Sequence, residues 1–277
     1  MGGPWAANGR EIRKMSNTGT ATAALVVEGL SKTYGANGVD HRAIERVDLE
    51  VYAGEFVSIV GPSGSGKTTL LNCVSGLLAP SSGQVRSFGE PIGDGPSAEM
   101  AIVFQDYSRS LFPWLTVERN IGLPLKRTGA GKGDVAAAVD SLLESVGLPR
   151  SVIGKYPWQL SGGMQQRVAI ARALINKPKI LLMDEPFASV DAQTRMSLED
   201  LTLRVWKEWN KSILFITHDI DEAIYMSDRV VVLSRGPSTV KATVDVPLPR
   251  DRDQIATKQE PLFGKLRSEV MDLVMGQ

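Results

Sequence analysis

The amino-acid sequence predicts an α/β fold in which a mostly parallel sheet is covered by helices on both faces. Three observations carry that expectation. Short apolar runs of strand length alternate with stretches of helical periodicity through the second half of the chain. Those runs are continuously apolar, as in a sheet buried on both faces. One of them, Phe56–Val60, passes straight into GPSGSGKTT and then into a helical pattern.

Taken in order, residues 1–22 are rich in Gly, Asn, Thr and Ala and read as a flexible tail. They carry charges and lack an apolar stretch, so they do not read as a secretory signal; Met15 is an alternative start to Met1. A short strand is expected to start at 25–27, with a turn at 35–38 and a loosely alternating antiparallel strand at 43–51. After Phe56–Val60, a helix over 67–78 places Leu70, Leu71, Val74 and Leu77 on one face. A strand follows at 100–104.

From about 105 to 178 the pattern turns mostly helical. Val135, Val139, Leu142, Leu143 and Val146 follow helical spacing, and Ser161 opens a further helix to about 176. Strands are expected at 180–183, 213–217 and 229–233, separated by helices at about 193–209 and 220–226. Pro247 and Pro249 mark a linker before an amphipathic helix carrying Phe263, Leu266, Val270, Leu273 and Val274. The sequence shows neither an internal repeat nor a low-complexity block.

Composition narrows the function classes. The chain has 277 residues, 43% of them hydrophobic, enough for a sizeable core. Lys+Arg and Asp+Glu are both 31, so nothing global points to nucleic acid. A single cysteine, Cys73, rules out an intrachain disulfide and a thiolate metal cluster, and is expected to fill the core. No run approaches the roughly 18 to 20 apolar residues of a membrane helix.

The strongest chemical signal is Gly61, Gly66, Lys67 and Thr68 in the frame G-x-x-x-x-G-K-[ST], with Pro62, Ser63, Gly64 and Ser65 between and Thr69 after. Glycines let backbone N–H groups turn inward around phosphate oxygens, and the following helix presents its positive end there. Lys67 is placed for the β- and γ-phosphates and Thr68 for Mg²⁺. The flanking strand and helix separate this from a chance Gly/Ser turn. An apolar strand ending in Asp184 and Glu185 puts two acids at the sheet's carboxyl edge, where ligands bind. Asp184 would hold Mg²⁺, and Glu185 would polarise an attacking water as general base. Taken alone, the pair also reads as two solvated acids. Finally, LSGGMQQR at 160–167 gives a second bare helix start, with Ser161 as N-cap and Gly162 and Gly163 leaving amides open.

In that order, the phosphate loop, LSGGMQQR and ILLMDEP resemble the nucleotide-binding subunit of an ATP-binding cassette (ABC) transporter over about residues 25–234. The resemblance implies a P-loop NTPase core over 23–250 with an N-terminal antiparallel β subdomain, an inserted helical subdomain at about 106–178, and a C-terminal helix at 251–277 packing back. It implies ATP and Mg²⁺, the latter held by Thr68, Asp184 and Gln105, the glutamine of the loop that faces the membrane partner. Tyr34 in SKTYG matches the aromatic that stacks on adenine, and His218 in FITHD matches the histidine that contacts the γ-phosphate. Ser189, Val190 and Asp191 match the D-loop, with Val190 where Leu is more usual. Lys67, Glu185 and His218 are the expected catalytic set. Ser161, Gly162, Gly163 and Gln165 belong to the signature, which in this family completes the ATP site of a second copy. His41 is expected merely exposed, in a turn.

The segment LFPWLTVERN at 111–120 resembles importers of nitrate, aliphatic sulfonates and taurine. Phe112, Trp114 and Leu115 either meet a membrane permease or pack the helical subdomain. The implied partners are a second ATPase subunit, permease subunits and, indirectly, a solute-binding protein, without nucleic acid, at the cytoplasmic face of the membrane. Soluble ABC ATPases of translation or DNA repair usually carry two cassettes or coiled coils, and this chain has neither. A lone P-loop kinase has no use for LSGGMQQR. The transported solute, the permease's identity and whether the dimer is homo- or heteromeric are not encoded.

Overall fold

The computed structural model describes residues 22–36, 39–93, 95–106 and 110–276. The expected tail, the choice between Met1 and Met15, and the end of the expected 35–38 turn lie outside the described residues.

Two long antiparallel strands, β1 (Ala23–Ala36) and β2 (Val39–Tyr52), come first. Next are β3 (Phe56–Val60), α1 (Lys67–Val74), β4 (Ser82–Ser87), β5 (Glu90–Pro91) and β6 (Met100–Val103). Between β6 and the next strand, the described residues include the α-helices α2 (Val117–Arg127), α3 (Lys132–Ser145) and α4 (Gly162–Leu174). The chain then alternates through β7 (Ile180–Asp184), α5 (Ala192–Trp209), β8 (Ser212–Ile216), α6 (Ile220–Met226) and β9 (Arg229–Leu233). It ends with β10 (Ser238–Asp245), α7 (Ala256–Gln259) and α8 (Pro261–Met275).

The strands form one sheet in the order β5-β4-β1-β2-β10-β9-β3-β8-β7-β6. Its half from β9 to β6 is parallel throughout. The antiparallel β1, β2 and β4 join it through β10, which runs parallel to β2 and antiparallel to β9.

Both faces of the parallel half are buried, which explains its unbroken apolar runs. Phe56, Leu181, Met183, Ile213, Phe215, Val230 and Val232 face a core shared with α4, α5 and α8. The intervening Val57, Ile59, Ile180, Leu182, Leu214, Ile216 and Val231 face a second core, with Leu70, Leu71, Cys73 and Val74 of α1 and Val27, Leu30 and Ile44 of the antiparallel strands. Cys73 is buried, as filler should be, and burial pushes its thiol pKa up. Trp206 anchors the first core: its indole N–H donates to Gly54 O at 3.0 Å, and its ring meets Phe56 edge-on at 5.5 Å.

Several expectations need correction. The first strand, expected to be short, spans 23–36, because its partners hold it along its length. The helix expected to 78 stops at Val74, since Gly76 adopts φ +77°; Leu77 is exposed rather than on a buried face. The strand ending at Val103 leaves Phe104 exposed. Strands β4, β5 and β10 were not expected. Around Pro247, Val246 and Leu248 are buried, so this stretch packs against the core instead of acting as a spacer. Helix α8 buries Phe263, Leu266 and Val270 against the domain, and Arg267 pairs with Asp221 of α6 at 3.0 Å.

Candidate functional site

The parallel half of the sheet places four loops side by side. Strand β3 leads into the glycine loop, β6 into Gln105, β7 ends in Asp184 and Glu185, and β8 leads to Thr217 and His218. Their shared carboxyl edge is where open α/β sheets collect ligands. A cavity of about 660 Å³ opens there, lined by Tyr34, His41, Ala43, Ser63–Thr69, Glu185 and His218.

The glycine loop is shaped by its neighbours. Gly66 sits at φ +77°, and a Cβ there would come within 3.1 Å of Ala43 O. Lys67, the first residue of α1, donates from Nζ to Gly61 O at 2.9 Å and to Pro62 O at 3.1 Å. Burial pulls the Lys67 pKa down, opposed by the nearby Glu185 and Asp184 carboxylates. Thr68 donates from its hydroxyl to Asp184 Oδ1 at 3.4 Å. Burial raises the Asp184 pKa, with the Thr68 hydrogen bond working the other way.

Glu185 is the hub. It has φ +41°, unusual for a residue with a side chain, and its N–H donates to Ile216 O at 2.9 Å. Its Oε2 accepts the Gln105 side-chain amide at 3.2 Å and lies 3.0 Å from His218 Nδ1. With a carboxylate as acceptor, Nδ1 is the donor.

Thr68 and Asp184 offer oxygen donors at the loop mouth, which suits a hard cation such as Mg²⁺. Among the described residues no group of three or more His, Cys, Asp or Glu could hold a metal alone. With Thr68 and Asp184 as protein ligands, such an ion would be held jointly with phosphate oxygens, as P-loop sites do.

Tyr34 projects half-exposed at the cavity's other end, its hydroxyl 3.2 Å from Thr69 Oγ1. His41 stands opposite it in the β1–β2 pairing and lines the same cavity. The sequence predicts His41 in a turn, but the long β1–β2 ladder puts it in β2. Its approach to the site was missed because strand register is not visible locally.

Ser161, Gly162, Gly163, Gln165 and Asp191 do not line this cavity. Ser161 caps α4, accepting from Met164 N at 3.4 Å, and Gln165 donates to Leu160 O at 3.2 Å. Asp191 caps α5, accepting from Thr194 N at 3.0 Å and Thr194 Oγ1 at 2.7 Å, which holds its carboxyl below the usual range. Preceding it, Val190 packs against the core. A Cβ on Gly163 would sit 2.3 Å from Thr194 Cγ2, so the starts of α4 and α5 touch.

Past Gln105, the loop around Phe112 is tied down by buried Asn120. Its amide donates to Phe112 O, Leu115 O and Thr116 O, and its oxygen accepts from Phe112 N. The loop holds Trp114 outward, 70% exposed, while Phe112 and Leu115 are half-buried.

The chain is similar to several known proteins. The family model described as ABC transporter matches residues 44–188. The nitrate import ATP-binding protein of Synechococcus elongatus is 42% identical over 263 residues, covering 92% of this chain and 94% of the relative. The taurine import ATP-binding protein of Roseobacter denitrificans is 41% identical over 254 residues, covering 90% and 93%. Among solved structures, a dimeric post-hydrolysis state of an ATP-binding cassette bound to ADP and Pi superposes with a TM-score of 0.71 at 32% identity, covering 81% of this chain and all of that one.

Proposed function

The chain belongs to the ABC transporter family, and from that premise we propose that it is the ATPase subunit of an importer for a small anion such as nitrate, taurine or another sulfonate. Like its family, it binds ATP and hydrolyses it in coupling to transport. The observation that carries the detailed reading is the convergence of Gln105 and His218 on Glu185, at the mouth of the cavity formed by the glycine loop.

Tyr34 stacks on adenine, and the amides of residues 61–69 cradle the phosphates with Lys67. Thr68, Asp184 and Gln105 would hold Mg²⁺, which would supply charge neutralisation on the transferred phosphoryl group. Glu185 accepts the proton of the attacking water, and His218 holds the Glu185 carboxylate and contacts the γ-phosphate. Ser161, Gly162, Gly163 and Gln165 serve a second copy of the chain. Their separation from this chain's own cavity supports that reading, as does the dimeric form of the solved relative.

Closure of the dimer on ATP is transmitted through Gln105 and the Phe112–Leu115 loop to permease subunits, which accept solute from a binding protein. The exposed ring of Trp114 on a loop tied by Asn120 supports a partner contact there. No helix among the described residues is long and apolar enough to cross a membrane; the chain sits peripherally, at the cytoplasmic face.

The test is purification from membranes, followed by ATPase assays of the complex over nitrate, taurine and other sulfonates. Co-purification with a permease and stimulation by one of these anions is expected. Association with ribosomes or DNA, or a permease complex that none of them stimulates, would overturn the importer or the anion reading respectively.

A further inference from the structure

His218 has a half-exposed, single-sided environment: its ring is 64% exposed and meets Glu185 on one side. Its direction therefore depends on the backbone of residues 217–219. That backbone is held by buried side chains outside the cavity. Thr217 is buried, and its hydroxyl donates to Glu222 Oε2 at 2.6 Å while accepting from Asp219 N at 3.0 Å. Asp219 Oδ1 in turn accepts from the N–H groups of Asp221 and Glu222, closing the first turn of α6.

Glu222 is a carboxylate in the protein interior, and the ATP chemistry described so far has no use for it. Burial pushes its pKa up to about 7, opposed by the Thr217 hydrogen bond and the Arg195 charge; Asp219 and Glu199 push the same way as burial. Arg195 of α5 approaches it, with Nε 3.5 Å from Glu222 Oε1 and Nη1 3.4 Å from Asp219 Oδ2. An isolated buried acid is costly, so this one is retained against a penalty and tied to a specific partner set.

We propose that Glu222, held by Arg195, is a positioning residue for His218: through the Thr217 hydroxyl it sets the backbone turn that aims the imidazole at Glu185. Arg195 follows Thr194, the residue whose methyl lies where a Cβ on Gly163 would be. One turn of α5 thus touches both the start of α4 and the His218 turn. This inference rests on the reading that His218 acts at the ATP site.

The test uses the full chain with ATP. The sequence has two histidines, His41 and His218, so their ring resonances can be told apart by NMR. Glu222→Ala is expected to lower kcat about ten- to a hundredfold with KM for ATP little changed, as misplaced catalytic groups do. The His218 ring signals should shift while those of His41 stay in place. Glu222→Gln, which keeps an acceptor for Thr217, should recover most of the activity. If Glu222→Ala does not fold, Thr217→Val removes the same hydroxyl at nearly constant volume and should give the same pair of effects. Unmoved His218 signals in the variant that folds, whatever the activity, would overturn the positioning role. His218→Ala is the separate control: full turnover in that variant would sink the reading of His218 itself, whatever Glu222 does.

Discussion

His218 Nδ1 lies 3.0 Å from Glu185 Oε2, and the two residues reach that spacing from neighbouring strands, β8 and β7. The same carboxylate oxygen accepts from Gln105, which follows β6 on the far side of β7. Three neighbouring strands of the parallel sheet thus meet at a single oxygen: the carboxylate after β7 carries it, and the side chains after β6 and β8 converge on it.

That convergence makes Glu185→Gln the most direct probe. An amide oxygen can still accept from Gln105 and His218, so the cavity should keep its shape. It cannot take a proton from water. Turnover should fall by a factor of about 100 or more, the usual contribution of a general base, while ATP affinity stays within a few-fold. Single-turnover hydrolysis and equilibrium nucleotide binding, measured on the same preparation, separate the two. Near-normal hydrolysis would move the base elsewhere.

Lys67→Ala should split binding from stability. Burial works against the Lys67 ammonium, so removing it takes away a group the fold does not favour. The melting temperature without nucleotide should be unchanged or higher. The rise in melting temperature on adding ATP, which measures binding to the native state, should vanish. A variant that melts much lower without nucleotide would show that the hydrogen bonds to Gly61 and Pro62 matter more to the fold than the buried charge.

The parts of this molecule legible in the sequence are those whose signal is local. Ile180–Asp184 reads as a buried strand because each residue in it is buried. The glycine loop reads from its own spacing. Strands β4 and β10 do not: SGQVRS and STVKATVD are polar and lack strict alternation, and they are strands because β1 and β9 pair with them. The glycine just past α1 has a tertiary reason as well, since a Cβ at Gly76 would fall 2.3 Å from Gly95 O. The Arg195, Thr217 and Glu222 cluster was invisible for the same cause. Thr217 and Glu222 are five residues apart, but Arg195 reaches them from a distant part of the chain, only once α5 and α6 pack.

Glu222 also gives a stability signature with a definite sign. Its folded pKa, about 7, lies above the ordinary 4.5, so the native state binds the extra proton between those values. The stability this contributes is fully present below about 4.5 and is lost as pH rises through about 7. Glu222→Gln keeps a neutral side chain at all pH values. Relative to the parent, it should gain stability across that window, by at most about 3 kcal/mol. Urea melts at pH 5 and pH 8 test this, and a difference between the two proteins that does not change with pH would show that Glu222 stays ionised when buried.

The contact between Gly163 and Thr194 yields a prediction about stability that is independent of any role in ATP hydrolysis. A Cβ at Gly163 would approach Thr194 Cγ2 to 2.3 Å, far inside contact distance. Thr194 cannot easily turn away, because its hydroxyl and N–H are both engaged by Asp191. Gly163→Ala should therefore destabilise the fold by about 1–3 kcal/mol, the usual penalty of overpacking. Alanine's better helix propensity acts in the opposite direction by at most about 1 kcal/mol, so a net loss isolates the clash. Thr194→Ser removes the offending methyl and keeps the hydroxyl on Asp191. The double variant Gly163→Ala, Thr194→Ser should then recover most of the lost stability, a coupling that denaturant melts of the four proteins in the cycle would measure. If the serine brings no recovery, the strain lies in the α4 backbone itself, and the close packing of the α4 and α5 starts would not be the reason a glycine stands at 163.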